Sequence, residues 1–374
     1  MNAPADSNGP KGKVQSTHAL AMKFILPWFM WLWVGLSGCT PSTDPKAFFE
    51  TLLERMANVT EVPLRSGNLQ SALPTFPRPR DVVLPMDDIR VGFSTYIGLG
   101  RCGLVGEVSA RNSSLGKFQS ATARLLYEKR FLGQLRGCTS GLKPETEAEQ
   151  KFLTELQLIE SRKTALLPVV FWNATFGSPE FRVLLSTSTG PLAMRSEVSS
   201  SEILGALHLI AALGPDLESP IGEVGQSELE SQYYRLQSSK LVGQLLQGMV
   251  IASDYLQQGS QLLETAAAQN SLCPMGKKTV RGGYLFNVFQ KFYIGEAQPY
   301  ISLLHSRARP IVEALDELVK LQTVPLPGAF QSFYSATVSA DGPQSVWVVF
   351  NQALSRHTRA WQTVLKQCEL MPRS

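Results

Sequence analysis

The sequence predicts an all-α protein, a multi-helix bundle built as one large unit or as two packed helical subdomains. Apolar residues recur at steps of three and four along most of the 374-residue chain, which is the period of a helix with one buried face. Helix-start signals precede several of these stripes, and prolines collect in the segments between them. A chain of this length can bury a sizeable core.

The first 38 residues predict a secretory signal. Lys23 precedes an apolar run of thirteen residues, 24–36, and the small residues Ser37 and Gly38 follow it. This order of basic, apolar and small residues is that of a cleaved signal, whereas a spanning helix needs about 20 apolar residues. Met22 is the better start of translation, because residues 1–21 contain no apolar run. The alternative is a membrane-anchored helix that is never cut.

Cys39 closes the signal in a pattern that resembles the lipobox of bacterial lipoproteins, where the cysteine thiol carries a diacylglyceryl group and the new N-terminus is acylated. We therefore expect lipidation at Cys39, followed by a tether over residues 39–43. In lipoprotein sorting, Asp in the next position retains the protein at the inner membrane, so Thr40 favours the periplasmic face of the outer membrane. An extended tether reaches only roughly 17 Å to Asp44, which would hold the body close to the membrane.

The charge of the chain argues against a nucleic-acid partner. Loss of the signal removes three lysines and one aspartate, which lowers the formal charge from +4 to +2. Lysine and arginine are scattered without a run of five like charges, whereas nucleic-acid binding needs a basic patch. The expected partners are the membrane, through Cys39, and an envelope protein, a lipid or cell-wall material.

The N-terminal helical part is predicted over residues 44–213. Its first helix starts at Asp44-Pro45, with Asp as N-cap, and a proline-rich extended segment follows over 61–85. A second helix should begin at Asp87 or Asp88, and its glycines at 98, 100, 103 and 106 predict close packing against another helix rather than a break. The inward side chains of this helix are expected to be Ile89, Phe93, Ile97, Leu104 and Val108. Further helices are predicted up to Cys138, over 145–172 with a break at Pro168, after Pro179, and over 199–213.

Gly and Pro residues over 214–225 predict a boundary, after which the C-terminal helical part occupies 226–374. Ser227-x-x-Glu230 has the spacing of a capping box, which would start one long helix that continues nearly to Asn270. A helix over 284–321 should kink at Pro299 and Pro310. The last helix, 344–369, has the clearest apolar stripe: Val346, Phe350, Ala353, His357, Trp361, Val364 and Cys368.

Four cysteines remain after the signal: Cys102, Cys138, Cys273 and Cys368. An even number in an exported protein predicts two disulfides, and three pairings are open. Closure between nearest neighbours would join Cys102 to Cys138 and Cys273 to Cys368, with contributions of roughly 4 and 5 kcal/mol. The first pair needs a bent connection, because the two cysteines would lie far apart in a straight helical hairpin. Free buried thiols are the alternative.

Two motifs suggest catalysis or cofactor binding, and both are incomplete. Gly98-x-Gly100-x-x-Gly103 matches a dinucleotide-binding fingerprint but lacks the preceding strand and the later acidic residue, so helix packing explains it better. Ser114-x-x-Lys117 matches the nucleophile motif of penicillin-binding enzymes without their partner motifs. We predict no catalytic residue and no cofactor.

Histidine is scarce after the signal and gives no metal-ligand spacing. His208, His305 and His357 include no pair spaced by four residues, and His208 and His357 are predicted to be core residues; a three-residue site assembled across helices is the alternative. No metal site is therefore predicted.

A donor-rich loop joins the second and third predicted helices. Arg111, Asn112, Ser113 and Lys117 place several hydrogen-bond donors within seven residues, which suggests a binding loop for a carboxylate, a phosphate or a lipid head group. The alternative is structural: Asn112 and Ser113 cap the two helix ends, while Arg111 and Lys117 are solvated or pair with Glu128.

Several segments together resemble the bacterial domain-of-unknown-function family 3080. The most specific is Arg111-Asn112-Ser113-Ser114-Leu115-Gly116-Lys117. The others are Leu73-Pro74-Thr75-Phe76-Pro77-Arg78-Pro79-Arg80, Cys102-Gly103-Leu104, Leu126-Tyr127-Glu128, Cys138, Phe171-Trp172-Asn173 and Gln298-Pro299-Tyr300. The resemblance covers nearly all of the chain after Cys39. It implies a predicted lipoprotein without an assigned activity and supplies no mechanism.

Two classes of function remain open from the sequence. The first is a non-enzymatic envelope lipoprotein that acts as a helical interaction or binding module. The second is a hydrolase of envelope material with an unrecognised serine or carboxylate site. Scarce histidine and the lack of a complete motif favour the first class.

Overall fold

The computed structural model describes residues 43–64, 73–216 and 224–371. The predicted signal, Cys39 and most of the tether lie outside these residues. Helices and their connections make up the described chain, which contains no strand, so the all-α prediction is confirmed. Within the described ranges, no helix combines the length and apolar character that crossing a membrane requires.

The first seven helices are α1 Pro45–Thr60, α2 Pro79–Val82, α3 Phe93–Gly98, α4 Val105–Asn112, α5 Ala121–Gly141, α6 Glu147–Ala174 and α7 Pro179–Leu184. The later ones are α8 Ser201–Leu213, α9 Gln226–Ser238, α10 Leu241–Ala268, α11 Val280–Val288, α12 Gln298–Lys320, α13 Gly328–Ala336 and α14 Val346–Gln367. As predicted, α1 starts with Pro45 at its first position, and the Asp44 carboxylate accepts a hydrogen bond from the Lys46 amide.

Helix α10 lies at the centre of the main core. It packs along α14 and α1 and also contacts α12, so apolar residues occupy most of its circumference. The core joins Phe49 of α1, Trp172 of α6 and Ile210 of α8 to Leu256 of α10 and Trp361 of α14. Helices from both predicted parts of the chain therefore share one hydrophobic core, and Thr43–Ser374 form one compact unit.

A second, smaller core lies between α5, α6 and the segment that precedes them. Its buried members are Leu99, Cys102, Leu104, Phe131, Leu135, Leu156 and Ile159. Helices α5 and α6 pack against each other along their length. This small core supports the region in which the candidate site lies.

The predicted second helix is wrong as a continuous element. No helix starts at Asp87 or Asp88, since the next helix after α2 is α3 at Phe93, and a 3-10 turn over Leu99–Cys102 ends at Gly103, whose φ is +70°. Glycine is favoured in this left-handed conformation, so Gly103 ends the helical turn instead of allowing another helix to pack closely. At Gly98 the expected close packing is present, because an added Cβ would lie 2.4 Å from the Phe152 ring. Phe93 and Ile97 are exposed rather than inward, and the close packing predicted at Gly106 is absent, because nothing lies within 4 Å of an added Cβ there.

Other predicted boundaries also change, and the proline-rich segment 61–85, predicted to be extended, contains the short helix α2. Helix α6 continues through Pro168, because the surrounding side chains Leu167, Val170 and Phe171 are fully buried and hold the backbone across the missing hydrogen bond. The long helix predicted from the capping box is two helices, α9 and α10, and α9 has Gly225 rather than Ser227 as its N-cap. A π-helical segment, Phe289–Ala297, precedes Pro299, and α12 continues past Pro310.

The two cysteine pairs match the nearest-neighbour prediction. The Cα atoms of Cys102 and Cys138 are 5.4 Å apart, and those of Cys273 and Cys368 are 5.2 Å apart. The break at Gly103 supplies the bent connection that the first pair needs, because it turns Cys102 back towards α5. The second pair ties the end of α14 to the loop before α11.

Candidate anion-binding pocket

The loop between α4 and α5 folds back onto the end of α4. The Ser113 hydroxyl donates to the Ala110 carbonyl (2.7 Å) and accepts from the Gly116 amide (3.0 Å). An added Cβ at Gly116 would lie 2.2 Å from the Ala110 carbonyl oxygen, so this close approach requires glycine. Ser113 therefore has the capping role that the structural alternative gave it, and the loop is held by its own hydrogen bonds.

A pocket of about 280 Å³ lies beside this loop, over the small core. Its walls carry four cationic side chains, contributed by the loop region and by α5 and α6: Arg111, Lys117, Arg124 and Lys163. Two acidic residues, Asp88 and Glu128, also line it. Cationic groups therefore outnumber acidic ones among the described residues that line the pocket.

Glu128 is the centre of a buried ion-pair cluster. Its carboxylate accepts from Arg124 Nε at 2.6 Å and from Lys163 Nζ at 2.6 Å, and its side chain is 2% exposed. Arg124 lies one turn before Glu128 on α5, whereas Lys163 comes from α6. Glu128 therefore pairs with these two residues and not with Arg111 or Lys117, while Lys117 is exposed to solvent, as the other half of the structural alternative had it.

The remaining cations of the pocket have no comparable counter-charge. Arg111 donates through Nη1 to the Gly116 carbonyl, while its buried Nε has no hydrogen-bond partner among the described residues. Asp88 is mostly exposed and lies 3.8 Å from Arg90. A buried donor without an acceptor is costly, so an anion in this pocket would satisfy both the charge and the hydrogen-bond donor.

Burial is the largest influence on the pKa values of the pocket cations, and the nearby acidic groups oppose it. Burial lowers the pKa of Arg111 below its usual value, and the nearby Arg124 lowers it further. Burial also lowers the pKa of Lys163, which Glu128 opposes and the two arginines reinforce. Lys163 Nζ lies 4.7 Å from the centre of the Phe131 ring, a cation–π contact that holds it in place.

Tyr127 adds a neutral hydrogen-bond donor to the pocket wall. Burial, aided by the adjacent Glu128, raises its pKa to about 12, so the hydroxyl keeps its proton at neutral pH. Asn112 is exposed and lines the same pocket. The wall thus combines cations with neutral donors, a set suited to a carboxylate or a phosphate.

The structure brings together Arg111, Asn112 and Lys117 of the predicted binding loop, while Ser113 is used within the loop. Sequence reasoning did not identify Arg124, Tyr127 or Lys163 as pocket residues. The spacing of Arg124 and Glu128 by four residues could have indicated a pair on one helix face. Nothing in the sequence indicates Lys163, because only the packing of α6 on α5 brings it there.

No serine or histidine lines this pocket among the described residues. Ser114 is exposed and does not line the pocket, whereas Lys117 does. The two side chains therefore do not share this site as a serine–lysine pair would. Across the described chain, no three His, Cys, Asp or Glu residues gather in a way that could hold a metal ion.

The histidines lie apart from the pocket. His357 is buried, as predicted: Trp361 Nε1 donates to its Nε2 at 2.9 Å, and the Ser260 hydroxyl is 3.3 Å from its Nδ1. His208 is exposed, so its prediction as a core residue is wrong. It falls on the outer face of α8, whose inward positions are Ile203, Ala206, Leu207, Ile210 and Leu213.

Comparison with known proteins gives a family and no function. The model of the family described as "Protein of unknown function (DUF3080)" matches residues 49–372, which include both disulfides and every residue of the pocket. This match confirms the resemblance seen in the sequence. Neither the curated proteins nor the solved structures contain a match to this chain.

Proposed function

Since the chain belongs to the DUF3080 family, which has no assigned function, we propose a role from its own residues. It is a lipoprotein anchored through Cys39 at the periplasmic face of the outer membrane, and it acts as a non-enzymatic binding module of the cell envelope. Its ligand carries a carboxylate or phosphate group, which the cationic pocket receives.

The observation that carries the binding role is the uncompensated charge of the pocket. Neither Arg111 nor the exposed Lys117 forms an ion pair with an acidic side chain among the described residues, and the Arg111 Nε–H lacks an acceptor there. A fold gains nothing from a buried donor left without a partner, whereas a site for an anion needs such a donor.

The envelope location is supported from two sides. The sequence carries a signal and a lipobox-like site at Cys39, and Thr40 favours the outer membrane. Two cysteine pairs at disulfide distance fit a protein that folds in an oxidising compartment, because disulfides persist in the periplasm and are rare in the cytosol.

The alternative of an envelope hydrolase has less support. Glu128, the buried carboxylate of the pocket, is held by Arg124 and Lys163, which occupy both of its oxygens. A general base needs a carboxylate free to take a proton, and the pocket has no serine among its described lining residues.

The double variant Arg111→Ala with Lys117→Ala tests the binding role. We expect inorganic phosphate or citrate to raise the thermal unfolding temperature of the parent protein and to have little effect on the variant, because ligand binding to the folded state stabilises it. The matched control is Lys151→Ala with Arg162→Ala, which removes two exposed cations from α6 and should keep the response. Equal responses of the two double variants would contradict the proposed site.

A further inference from the structure

Two apolar side chains stand out of the loop that borders the pocket. Leu115 is 86% exposed and Phe118 is 90% exposed, which makes them the most exposed large apolar side chains of the described residues. They lie on either side of Gly116 and Lys117, and Lys117 lines the pocket. Exposure of apolar side chains to water is unfavourable, so their presence at this position indicates an interaction site.

The loop presents these side chains on a fixed backbone. The amide of Lys117 donates to the Ser113 carbonyl (3.1 Å), and the amide of Phe118 donates to the Leu115 carbonyl (3.1 Å). Neither Leu115 nor Phe118 contributes to the two hydrophobic cores. Folding therefore explains the path of this backbone but not the choice of two large apolar residues at its tip.

Helix α3, close to this loop, also exposes large apolar side chains. Phe93 and Ile97 of α3 are 77% and 58% exposed. Helix α3 is connected to α4 by a hydrogen bond between the Tyr96 and Ser109 hydroxyls, at 2.6 Å. Exposed apolar residues thus occur both before and after α4, the helix whose end carries Arg111 of the pocket.

We propose that the loop 113–118 enters the interfacial layer of a membrane, where Leu115 and Phe118 insert among the acyl chains and the pocket receives the phosphate of an acidic phospholipid. The inference rests on the anion site of the proposed function and names its ligand. An acidic lipid surface offers an apolar layer directly beneath a layer of phosphates, which matches apolar tips placed beside cations.

The combination of cations with exposed apolar side chains favours a membrane over a soluble anion. A free phosphate would use Arg111 and Lys117 but would leave Leu115 and Phe118 exposed to water. A lysine between two inserted apolar residues can extend its ammonium to the phosphate layer while its methylenes stay in the apolar layer, and Lys117 has this position. One ligand therefore accounts for both the charged and the apolar features.

Tryptophan fluorescence in vesicles tests the insertion. The full chain with Phe118→Trp is reconstituted in phosphatidylcholine vesicles with or without phosphatidylglycerol, with bromine on the acyl chains as a quencher. The parent chain supplies the background from its own tryptophans. The control is Tyr234→Trp, which replaces another strongly exposed aromatic residue, on α9. We expect the signal of Trp at 118 to be quenched several-fold more than that of Trp at 234 when phosphatidylglycerol is present.

The phosphate contact is tested by adding Lys117→Glu to the Phe118→Trp chain. This charge reversal should remove most of the extra quenching, whereas Lys151→Glu, an exposed lysine elsewhere, should keep it. Equal quenching at 118 and 234 in phosphatidylglycerol vesicles would overturn the inference. If glycerol phosphate stabilises the detergent-solubilised chain while position 118 stays unquenched, the pocket binds a soluble phosphate and the membrane inference is also wrong.

The quenching experiment and the tests of the proposed function give independent results. Lipidation of Cys39 is read from the mass of the N-terminal peptide, and the anion site from the response to phosphate of the Arg111→Ala and Lys117→Ala variant. Loss of either result would overturn the proposed function without any measurement of quenching at 118. Loss of quenching alone would leave the anchor and the anion site in place.

Discussion

At the scale of single residues, His357 shows how burial sets a protonation state. Its ring lies within the core between α10 and α14, where it accepts a hydrogen bond from Trp361 and lies next to the Ser260 hydroxyl. Burial lowers the pKa of His357 from 6.5 to about 3, so the ring is neutral at neutral pH. An added Cβ at Gly259 would lie 2.8 Å from this ring, so α10 also needs glycine here.

This burial predicts a loss of stability in acid. The unfolded chain binds a proton at His357 near pH 6.5 and the folded chain only near pH 3, so the stabilisation is present above pH 6.5 and is lost as the pH falls towards 3. Between about pH 7 and about pH 5, we expect this residue to account for a loss of ~2 kcal/mol in the free energy of unfolding.

Urea unfolding of the parent, His357→Gln and His208→Gln at both pH values measures this effect. His357→Gln should lower stability at neutral pH and also flatten the pH dependence, because the titrating ring is gone. His208→Gln changes an exposed ring on α8 and should follow the parent. An unchanged slope in His357→Gln would show that the acid sensitivity arises elsewhere.

The candidate site illustrates which residues a sequence can indicate. Arg111 and Lys117 stand within one loop, so their density of donors is visible without a structure. Lys163 is 35 residues from its partner Glu128, and only the packing of α6 on α5 brings them together. A buried lysine, Lys129 of α5, is similar: it donates to the Leu213 carbonyl at the end of α8, a contact that no local pattern predicts.

At the scale of elements, the sequence predicts helix ends correctly where the end depends only on a few adjacent residues. Asp44-Pro45 starts α1 and Gly214, with φ of +58°, follows the last residue of α8, because capping and left-handed backbone are properties of a few adjacent residues. Pro168 was misjudged because the cost of a proline inside a helix competes with burial of its neighbours, and that burial depends on the fold.

The glycine-rich segment was misjudged for a related reason. Gly98 and Gly103 give the same signal in the sequence, yet Gly98 is packed against Phe152 and Gly103 has a positive φ. Each glycine satisfies a different requirement, and spacing alone does not separate them. The break at Gly103 also decides the disulfide, because it brings Cys102 to within 5.4 Å of Cys138 between Cα atoms.

Two alanine substitutions should therefore have opposite effects. Gly103→Ala is expected to lower the free energy of unfolding by about 1 to 2 kcal/mol, because a left-handed backbone disfavours a Cβ. Its Cβ would also approach the Gln134 amide, which donates to the Cys102 carbonyl. Gly106→Ala in α4 meets open space and should raise stability by about 0.5 to 1 kcal/mol, because alanine favours a helix.

Denaturant unfolding of both variants, with the disulfides intact, measures the difference. The two positions are three residues apart, so a general effect of alanine in this segment would act on both in the same direction. Equal destabilisation would mean that the segment tolerates no side chain at either glycine, and the break would not depend on Gly103.

At the scale of the whole molecule, the shared core limits how the protein can respond to a ligand. Phe49 of α1, Ile210 of α8 and Leu256 of α10 belong to one cluster, so the two predicted parts of the chain are packed together through their apolar faces. The pocket lies over the separate small core, beside α5 and α6. An anion in the pocket would therefore lie against the small core, which α5 and α6 connect to the main core.

The lipid anchor proposed at Cys39 also concerns the whole molecule, and it predicts how the protein partitions between membrane and solution. Each acyl methylene that leaves water contributes about 0.8 kcal/mol, so two or three chains on Cys39 should hold the protein firmly on a membrane. Cys39→Ser should leave an uncut precursor without lipid, because the modified thiol is what directs cleavage in the lipoproteins that this site resembles. Metabolic labelling with a fatty acid and the mass of the N-terminal peptide measure both effects.

A second variant separates the anchor from its destination. Thr40→Asp keeps Cys39, so we expect normal lipidation and cleavage, with the protein recovered from the inner instead of the outer membrane after density separation of the envelope. Cys39→Ser should lack the lipid whichever membrane fraction contains it. Because the tether is short, roughly 17 Å when extended, either destination would place the folded body next to a lipid surface. Normal processing and lipid labelling of Cys39→Ser would contradict lipidation at this residue, and an unchanged location of Thr40→Asp would contradict the sorting role of Thr40 alone.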